Sequence, residues 1–138
     1  MDGIGAYSLG MISLLVFALI VLVQGALVGA GKAKAGLTPG SEPSPDYDNP
    51  LYRLNRSHQN GVENMAAAGV VLFAAMLVGV SPWWSNLLMA VFLATRIVYV
   101  LIYAQKIGNP TQGMRTFVYV AGWATLVILA VLAIFKLF

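Results

Sequence analysis

Four long apolar segments constrain this chain more than any other feature of its sequence. The first, over residues 4–31, carries no charged side chain, and the last is free of charge from Thr116 to Phe135. Each segment is long enough to supply the ~20 residues that a helix needs to cross a bilayer. A core built from 138 residues could not bury so much apolar surface, so we expect a multi-pass integral membrane protein.

The composition excludes several classes of protein and site. Of all residues 59% are hydrophobic and 9% are charged, whereas a soluble domain carries about 25% charged residues. The chain has no cysteine, which excludes disulfides, thiolate metal sites and a protein thiol nucleophile. Its net charge of +3 is small and its basic residues form no long run, so nothing supports binding to nucleic acid. The sequence gives no reason to expect a metal.

Proline residues predict where the helices begin. Asn49–Pro50, Ser81–Pro82 and Asn109–Pro110 each place a capping side chain before a proline at the first helical position. We predict one all-α domain over residues 1–138, with a loop rich in Pro, Gly and Ser at 32–49. The predicted helices cover roughly residues 4–31, 50–80, 82–107 and 110–137. The second connection is so short that the second and third helices form an antiparallel hairpin.

The basic side chains collect at one end of this predicted bundle. They are Lys32, Lys34, Arg53, Arg56, Lys106 and Arg115. The other end carries little beyond Asp2 and Lys136. By the positive-inside rule, the basic end is cytoplasmic and both termini lie outside.

Polar side chains form one stripe on each helix of the hairpin. At 100° per residue, five side chains of the second helix fall within an arc of about 100°. They are Arg53, Arg56, Asn60, Glu63 and Asn64. The third helix repeats the spacing with Arg96, Tyr99, Tyr103 and Lys106. Counting along the hairpin pairs Glu63 with Arg96 as the deepest two groups, and we expect them in direct contact or one water apart.

Ionisable groups at membrane depth are costly, so they usually pair and face a bundle interior or a wet cavity. One interpretation of the stripes is a structural network that fixes helix register. Arg53 and Lys106 have a simpler interpretation still, since long basic side chains near the interface reach toward lipid phosphates. However, the stripes offer more hydrogen-bonding groups than one buried ion pair needs. This surplus favours a small polar ligand with several charges.

The stripe residues resemble a known family. RLNRSHQNGVEN, over residues 53–64, is similar to the helix-2 motif of the MAPEG proteins, the membrane-associated proteins in eicosanoid and glutathione metabolism. The family pattern is roughly E-R-x-x-R-A-x-x-N-x-x-E-N, and Tyr52 and Ser57 stand here at its acid and alanine. In RIVYVLIY, the residues Arg96, Tyr99 and Tyr103 match the family's third helix. The four-span layout extends the resemblance to the whole chain, as a bacterial-type member.

The resemblance implies a homotrimer of four-helix subunits, with the co-substrate glutathione bound between neighbouring subunits near the cytoplasmic face. It implies an inner-membrane location and a lipophilic second substrate drawn from the lipids. Arginine forks suit the two carboxylates of glutathione, and Glu63 suits its ammonium. A basic residue at the end of the first helix also reaches the ligand in the family, and Lys32 and Lys34 are equal candidates. We interpret His58 as an interfacial or subunit-contact residue.

The activity that the resemblance implies is that of a glutathione transferase or peroxidase. A fixed cation favours the glutathione thiolate, which attacks an electrophile or reduces a lipid hydroperoxide. Active family members carry an arginine shortly after the proline that opens the fourth helix, but that position is Gln112 here. Our hypothesis is that Arg115, about one turn later, supplies the charge and that Gln112 is a secondary donor. The alternative is that Arg115 only reaches toward the interface.

Two other classes of function stay open at the level of sequence. The family includes a non-catalytic member that presents lipid, so this chain can be a lipid-binding scaffold that has lost the stabilising cation. A small oligomeric transporter is the other alternative. Against a transporter, the chain has no broken helices or internal repeats, and its charges collect at one end instead of the midplane.

Overall fold

The computed structural model describes residues 2–108, 111 and 113–138, and its regular elements over that part of the chain are all helices. These are α1 (Asp2–Gly5), α2 (Ser8–Lys34), α3 (Pro50–Leu77), α4 (Pro82–Ala104) and α5 (Met114–Phe135). The helices α2 to α5 are long and apolar enough to cross a membrane. The predicted all-α architecture with four membrane-spanning helices is therefore confirmed.

Capping residues account for the start and end of α3. It begins at Pro50 as predicted, because the Asn49 side-chain oxygen accepts a hydrogen bond from the backbone N–H of Leu51 at 2.9 Å. It ends at Leu77, three residues before the predicted end. Gly79 follows with φ +75°, a backbone conformation that glycine adopts without steric cost and that turns the chain into α4.

The helix α4 also begins at its proline, Pro82, although the Ser81 side chain makes no capping hydrogen bond. It ends at Ala104, before the predicted residue 107, because Lys106 takes a left-handed conformation with φ +54°. The helix α5 begins at Met114 after Gly113, which has φ +105°. The predicted start at Asn109–Pro110 falls outside the described residues.

The interior of the bundle is apolar away from the basic end. Phe17 of α2 and Phe92 of α4 pack edge to face with ring centroids 5.0 Å apart. Around them lie the fully buried side chains of Leu72, Met89 and Leu129. Many aliphatic and aromatic side chains point outward, for example Phe117 with 75% of its surface exposed. In a bilayer these outward side chains face lipid tails, which are as apolar as the core.

Two polar contacts join α2 to the rest of the bundle at different depths. Near the termini, the Asn86 side chain donates to the carbonyl of Ala6 and accepts from the N–H of Gly10, each at 2.8 Å. Deeper in the membrane, Nε2 of Gln24 donates to the hydroxyl of Ser57 at 2.9 Å. Gln24 and Ser57 are both buried, so neither amide nor hydroxyl has water as an alternative partner.

We expect Ser57→Ala to lower the free energy of unfolding by about 0.5–2 kcal/mol, because the Gln24 amide then loses its buried acceptor. In the double variant Gln24→Leu/Ser57→Ala, both polar groups are gone and much of the loss returns. Equilibrium unfolding in mixed micelles measures both. Equal stability of Ser57→Ala and the parent protein would contradict a structural role for this hydrogen bond.

Candidate functional site

A polar cleft of about 360 Å³ opens where α3, α4 and α5 meet at the basic end of the bundle. Its lining comes from all three helices and consists of Arg56, Asn60, Glu63, Tyr99, Tyr103, Arg115, Thr116 and Tyr119. Six of these eight residues are predicted from the sequence to bind ligand or to act in catalysis. Thr116 and Tyr119 were missed, because α5 carries no polar stripe at the spacing that marked α3 and α4.

Arg96 lies buried beside this cleft and joins three helices. Only 2% of the residue is exposed. One terminal nitrogen donates to the Asn60 side-chain oxygen at 2.9 Å, and the other donates to the carbonyls of Val118 and Tyr119 at 3.3 Å each. The rings of Phe92, Tyr99 and Tyr119 lie 5.2–5.6 Å from the guanidinium carbon. Carbonyl dipoles and aromatic faces therefore stabilise this cation.

Glu63 and Arg96, which we expected in direct contact or one water apart, form no direct salt bridge among the described residues, and their separation by one water stays a prediction. The salt bridge found among the described residues joins Lys106 to Asp48, and Arg96 bonds instead to Asn60, three residues before Glu63. The physical reason lies in α5, because comparing residue depths along the α3–α4 hairpin does not take that helix into account. Its carbonyls draw the guanidinium toward the level of Asn60, while Glu63 is exposed and lines the cleft.

Gly122 of α5 provides the space that Arg96 occupies. A Cβ atom at this position would lie 2.6 Å from a terminal nitrogen of Arg96 and 2.4 Å from the Thr95 hydroxyl. Both distances are shorter than any tolerated contact, so the close approach of α4 and α5 here requires a residue without a side chain.

Arg53 holds the loop between α2 and α3, residues 35–49, against the end of α4. Its Nε donates to the Tyr103 carbonyl at 2.9 Å, and one terminal nitrogen donates to the carbonyls of Tyr47 and Asp48 at 2.7 and 2.9 Å. Arg53 is 8% exposed and does not line the cleft. Arg53 therefore makes structural contacts in this subunit, and its predicted ligand contact stays a prediction. Asn64 is buried as well, and its amide donates back to the Asn60 carbonyl at 2.8 Å.

Lys106 supports the same loop from the end of α4. Its ammonium donates a hydrogen bond to the Asp48 carboxylate, which is exposed in the loop. This hydrogen bond, and the positive charge of Lys106, hold the pKa of Asp48 below its ordinary value. The Asp48 carboxylate is therefore ionised at neutral pH.

Arg115 lines the cleft and lies beside two aromatic rings. Its guanidinium carbon lies 4.7 Å from the Tyr47 ring centroid and 5.3 Å from that of Tyr103. One terminal nitrogen lies 3.5 Å from the Tyr103 hydroxyl, which also accepts from the Tyr99 hydroxyl at 3.4 Å. Thr116, the next residue, lines the cleft as well. A cation and several hydroxyl groups therefore meet here. Gln112 lies outside the described residues.

A second groove, of about 530 Å³, runs along the other side of α3. Lys32 lines it together with Arg56, His58, Gln59 and Glu63, whereas Lys34 does not. His58 packs on α2, since a Cβ atom at Gly25 would lie 3.0 Å from its Nε2. Arg56 and Glu63 line both the cleft and this groove, so they are open to a ligand from either side.

The family model for the MAPEG family matches residues 9–135, nearly the whole chain. The chain belongs to the MAPEG family. Membership supports a glutathione-related transferase, peroxidase or related function, although the family also includes non-catalytic members. A search of curated proteins found no significant match. Among residues 2–108, 111 and 113–138, no group of three or more metal-ligating side chains is placed to hold a metal ion.

The family pattern and the structure together explain one departure in the sequence. The usual alanine of the helix-2 motif is Ser57 here, and its hydroxyl has a buried partner in Gln24 of α2. A hydroxyl at this depth is tolerated when it is hydrogen-bonded. The hydroxyl of Ser57 is therefore accommodated between α2 and α3.

Two substitutions distinguish the observed partner of Arg96 from the predicted one. We expect Asn60→Ala to lower the free energy of unfolding by about 1.5–3 kcal/mol, because Arg96 loses a charge-assisted hydrogen bond in a buried site. Glu63→Gln should change it by less than about 0.5 kcal/mol, since Glu63 is exposed. Unfolding titrations in mixed micelles compare the two variants. A larger loss of stability in Glu63→Gln than in Asn60→Ala would indicate that Glu63 is the partner of Arg96.

Proposed function

We propose that this MAPEG protein is a glutathione-dependent membrane transferase or peroxidase that binds glutathione in the cleft between α3, α4 and α5. The observation that carries the proposal is the convergence of Arg56, Glu63 and Arg115 on one cleft together with Asn60 and three tyrosines. Glutathione carries two carboxylates, one ammonium, two peptide groups and a thiol. The cleft offers groups complementary to one carboxylate, the ammonium, the peptide groups and the thiol.

The charged groups suit the two ends of the tripeptide. Arg56 is exposed, and one of its terminal nitrogens contacts the Gln59 side chain at 2.8 Å, so its guanidinium is available to a carboxylate. Glu63 is not engaged by Arg96 and is free to take the ammonium, which removes the competition expected from the sequence. Lys32 reaches α3 from the other side and is the better candidate of the two lysines for the second carboxylate.

The thiol lies at Arg115 in this proposal. The guanidinium charge favours the thiolate, and the hydroxyl groups of Tyr103 and Thr116 donate hydrogen bonds to the sulfur. In the transferase reaction the thiol proton passes to solvent, the sulfur bonds to the electrophilic carbon, and the leaving group departs with the electron pair. In the peroxidase reaction one glutathione takes the distal oxygen of a hydroperoxide, releasing the alcohol. A second glutathione then yields the disulfide and water.

The assembly belongs to the same proposal. The groove that contains Lys32 and the cleft that contains Arg115 lie on opposite sides of α3 and share Arg56 and Glu63. A homotrimer brings the groove of one subunit to the cleft of the next, so that glutathione is enclosed between them. Polar groups along α3 are then shielded from lipid, which favours a closed oligomer in a bilayer.

The location follows from the charge distribution. Contacts of Arg53, Lys106 and Arg115 with the α2–α3 loop and Tyr103 place these cations at one end of the bundle. We assign this end to the cytoplasm, where glutathione is supplied, and both termini to the outer side of a bacterial inner membrane. The lipophilic substrate enters from the bilayer.

A non-catalytic lipid-binding protein is the second candidate. It is favoured by an apolar groove of about 450 Å³ between α2 and α4, lined almost entirely by aliphatic side chains such as Leu19, Val23 and Val100. Such a groove suits an acyl chain. In this alternative, the neutral Gln112 at the position of the family's arginine means that the cation that stabilises the thiolate has been lost. A small transporter receives no comparable support.

The decisive experiment follows the thiolate of bound glutathione by its absorbance near 240 nm, together with turnover of chlorodinitrobenzene and cumene hydroperoxide. We expect Arg115→Ala to raise the apparent thiol pKa by about 1 or more and to lower turnover by about 100-fold, while calorimetry still detects glutathione binding. Gln112→Ala should cause a smaller loss.

Lys136→Ala is the matched control, because it removes one positive charge at the end of the bundle opposite to Arg115. Thiolate formation that survives Arg115→Ala unchanged would overturn the assignment of Arg115. A parent protein that binds glutathione without any thiolate would favour the lipid-binding alternative.

A further inference from the structure

Tyr47 is the one residue of the α2–α3 loop that packs against the proposed thiolate-stabilising cation. Its ring centroid lies 4.7 Å from the Arg115 guanidinium carbon, closer than that of Tyr103 at 5.3 Å. The rings of Tyr47 and Tyr103 meet edge to face, with centroids 6.2 Å apart. Arg115 therefore has an aromatic face from α4 and a second one from a loop that is remote in sequence.

The loop that carries Tyr47 is fixed by polar contacts along its length. Glu42 accepts hydrogen bonds from Asn55 and Gln59 of α3 at 3.0 and 2.5 Å. Beside Tyr47, Arg53 donates to the carbonyls of Tyr47 and Asp48, and Lys106 pairs with the Asp48 carboxylate. These contacts hold the ring in place without any contribution from its own hydroxyl. The Tyr47 oxygen is buried and has no hydrogen-bond partner among the described residues.

We propose that Tyr47 is a positioning residue for Arg115, and that its ring, not its hydroxyl, keeps the guanidinium at the cleft. Arg115 lies in the first turn of α5, where a long side chain is otherwise free to turn toward lipid phosphates. A cation over an aromatic ring is held by the ring's quadrupole, more strongly where water is excluded. Only the effect of Tyr47 on the glutathione thiolate rests on the proposed function, because the position of Arg115 can be measured without glutathione.

The interaction also assigns a role to Arg53 that differs from the one expected. Its bonds to the Tyr47 and Asp48 carbonyls set the loop backbone that presents the ring. Arg53 then acts on the site through the residues that it holds in place, without lining the cleft itself. The long loop, which the sequence marks only by its Pro, Gly and Ser content, becomes part of the catalytic geometry.

The test uses protein labelled with ¹⁵N-arginine in lipid nanodiscs. The chain has four arginines, so its Nε–H spectrum is simple, and Arg115→Lys identifies the Arg115 signal. Beside two rings, this proton carries a ring-current shift, but deleting the Tyr47 ring removes its own part of that shift even if Arg115 does not move. The readout is therefore the NOE between this proton and the Tyr103 ring, which we expect Tyr47→Leu to remove and Tyr47→Phe to keep. Tyr52→Leu is the matched control, because Tyr52 lies in the first turn of α3 outside the cleft lining.

The second readout is the thiolate of bound glutathione in the same variants. In Tyr47→Leu the thiolate fraction at a pH below the thiol pKa should fall by about fivefold, with normal Tm and glutathione affinity. In Tyr47→Phe it should equal that of the parent. If the role of Tyr47 were merely structural, Tyr47→Leu would lower Tm and leave the pKa of the bound thiol unchanged.

The outcomes separate the two proposals. An NOE between the Arg115 Nε–H and the Tyr103 ring that persists in Tyr47→Leu overturns the positioning role, whatever the enzyme does. Loss of that NOE without any thiolate in the parent supports the positioning role and overturns the proposed function. Loss of that NOE with an unchanged thiol pKa overturns the catalytic consequence of Tyr47.

Discussion

A charged guanidinium inside the bundle is the interaction on which the arrangement of the site depends. Arg96 is almost fully buried, and leaving its charge without partners would cost several kcal/mol in a membrane. Asn60 of α3 and two carbonyls of α5 accept hydrogen bonds from its two terminal nitrogens, so three helices must meet at this depth. The cleft shares Asn60, Tyr99 and Tyr119 with the surroundings of Arg96, and its shape follows from the same contacts.

The four arginines divide into two pairs with different roles. Arg53 and Arg96 bond mainly to backbone carbonyls and fix the loop and the helix junction. Arg56 and Arg115 face the cleft and keep donors available to a ligand. The buried pair has a fixed geometry because the carbonyls that it bonds to belong to packed helices and to a loop held by several polar contacts. Arg56 and Arg115 are therefore presented by a rigid frame, which is the condition for stabilising a charge that develops on a substrate.

The sequence was sufficient to predict the four spans, the hairpin and most of the cleft, because hydropathy, proline capping and a 3.6-residue period are local signals. It predicted Glu63 as the partner of Arg96, whereas the observed partner on α3 is Asn60, because side-chain spacing carries no information about the α5 carbonyls that bind Arg96. For the same reason it predicted a ligand contact for Arg53, whose hydrogen bonds in the structure go to backbone carbonyls. Tyr47 was missed because a loop residue has no periodicity, and only the folded loop brings its ring to Arg115.

The central claim is that glutathione lies in this cleft with its sulfur at Arg115. The most direct test is an experimental structure of the protein in a lipid bilayer with glutathione bound. The account predicts a closed trimer in which the sulfur lies within about 3.5 Å of the Arg115 guanidinium or the Tyr103 hydroxyl, with a carboxylate on Arg56. Glutathione bound with its sulfur away from Arg115, or a protein that is monomeric and binds none, would contradict it.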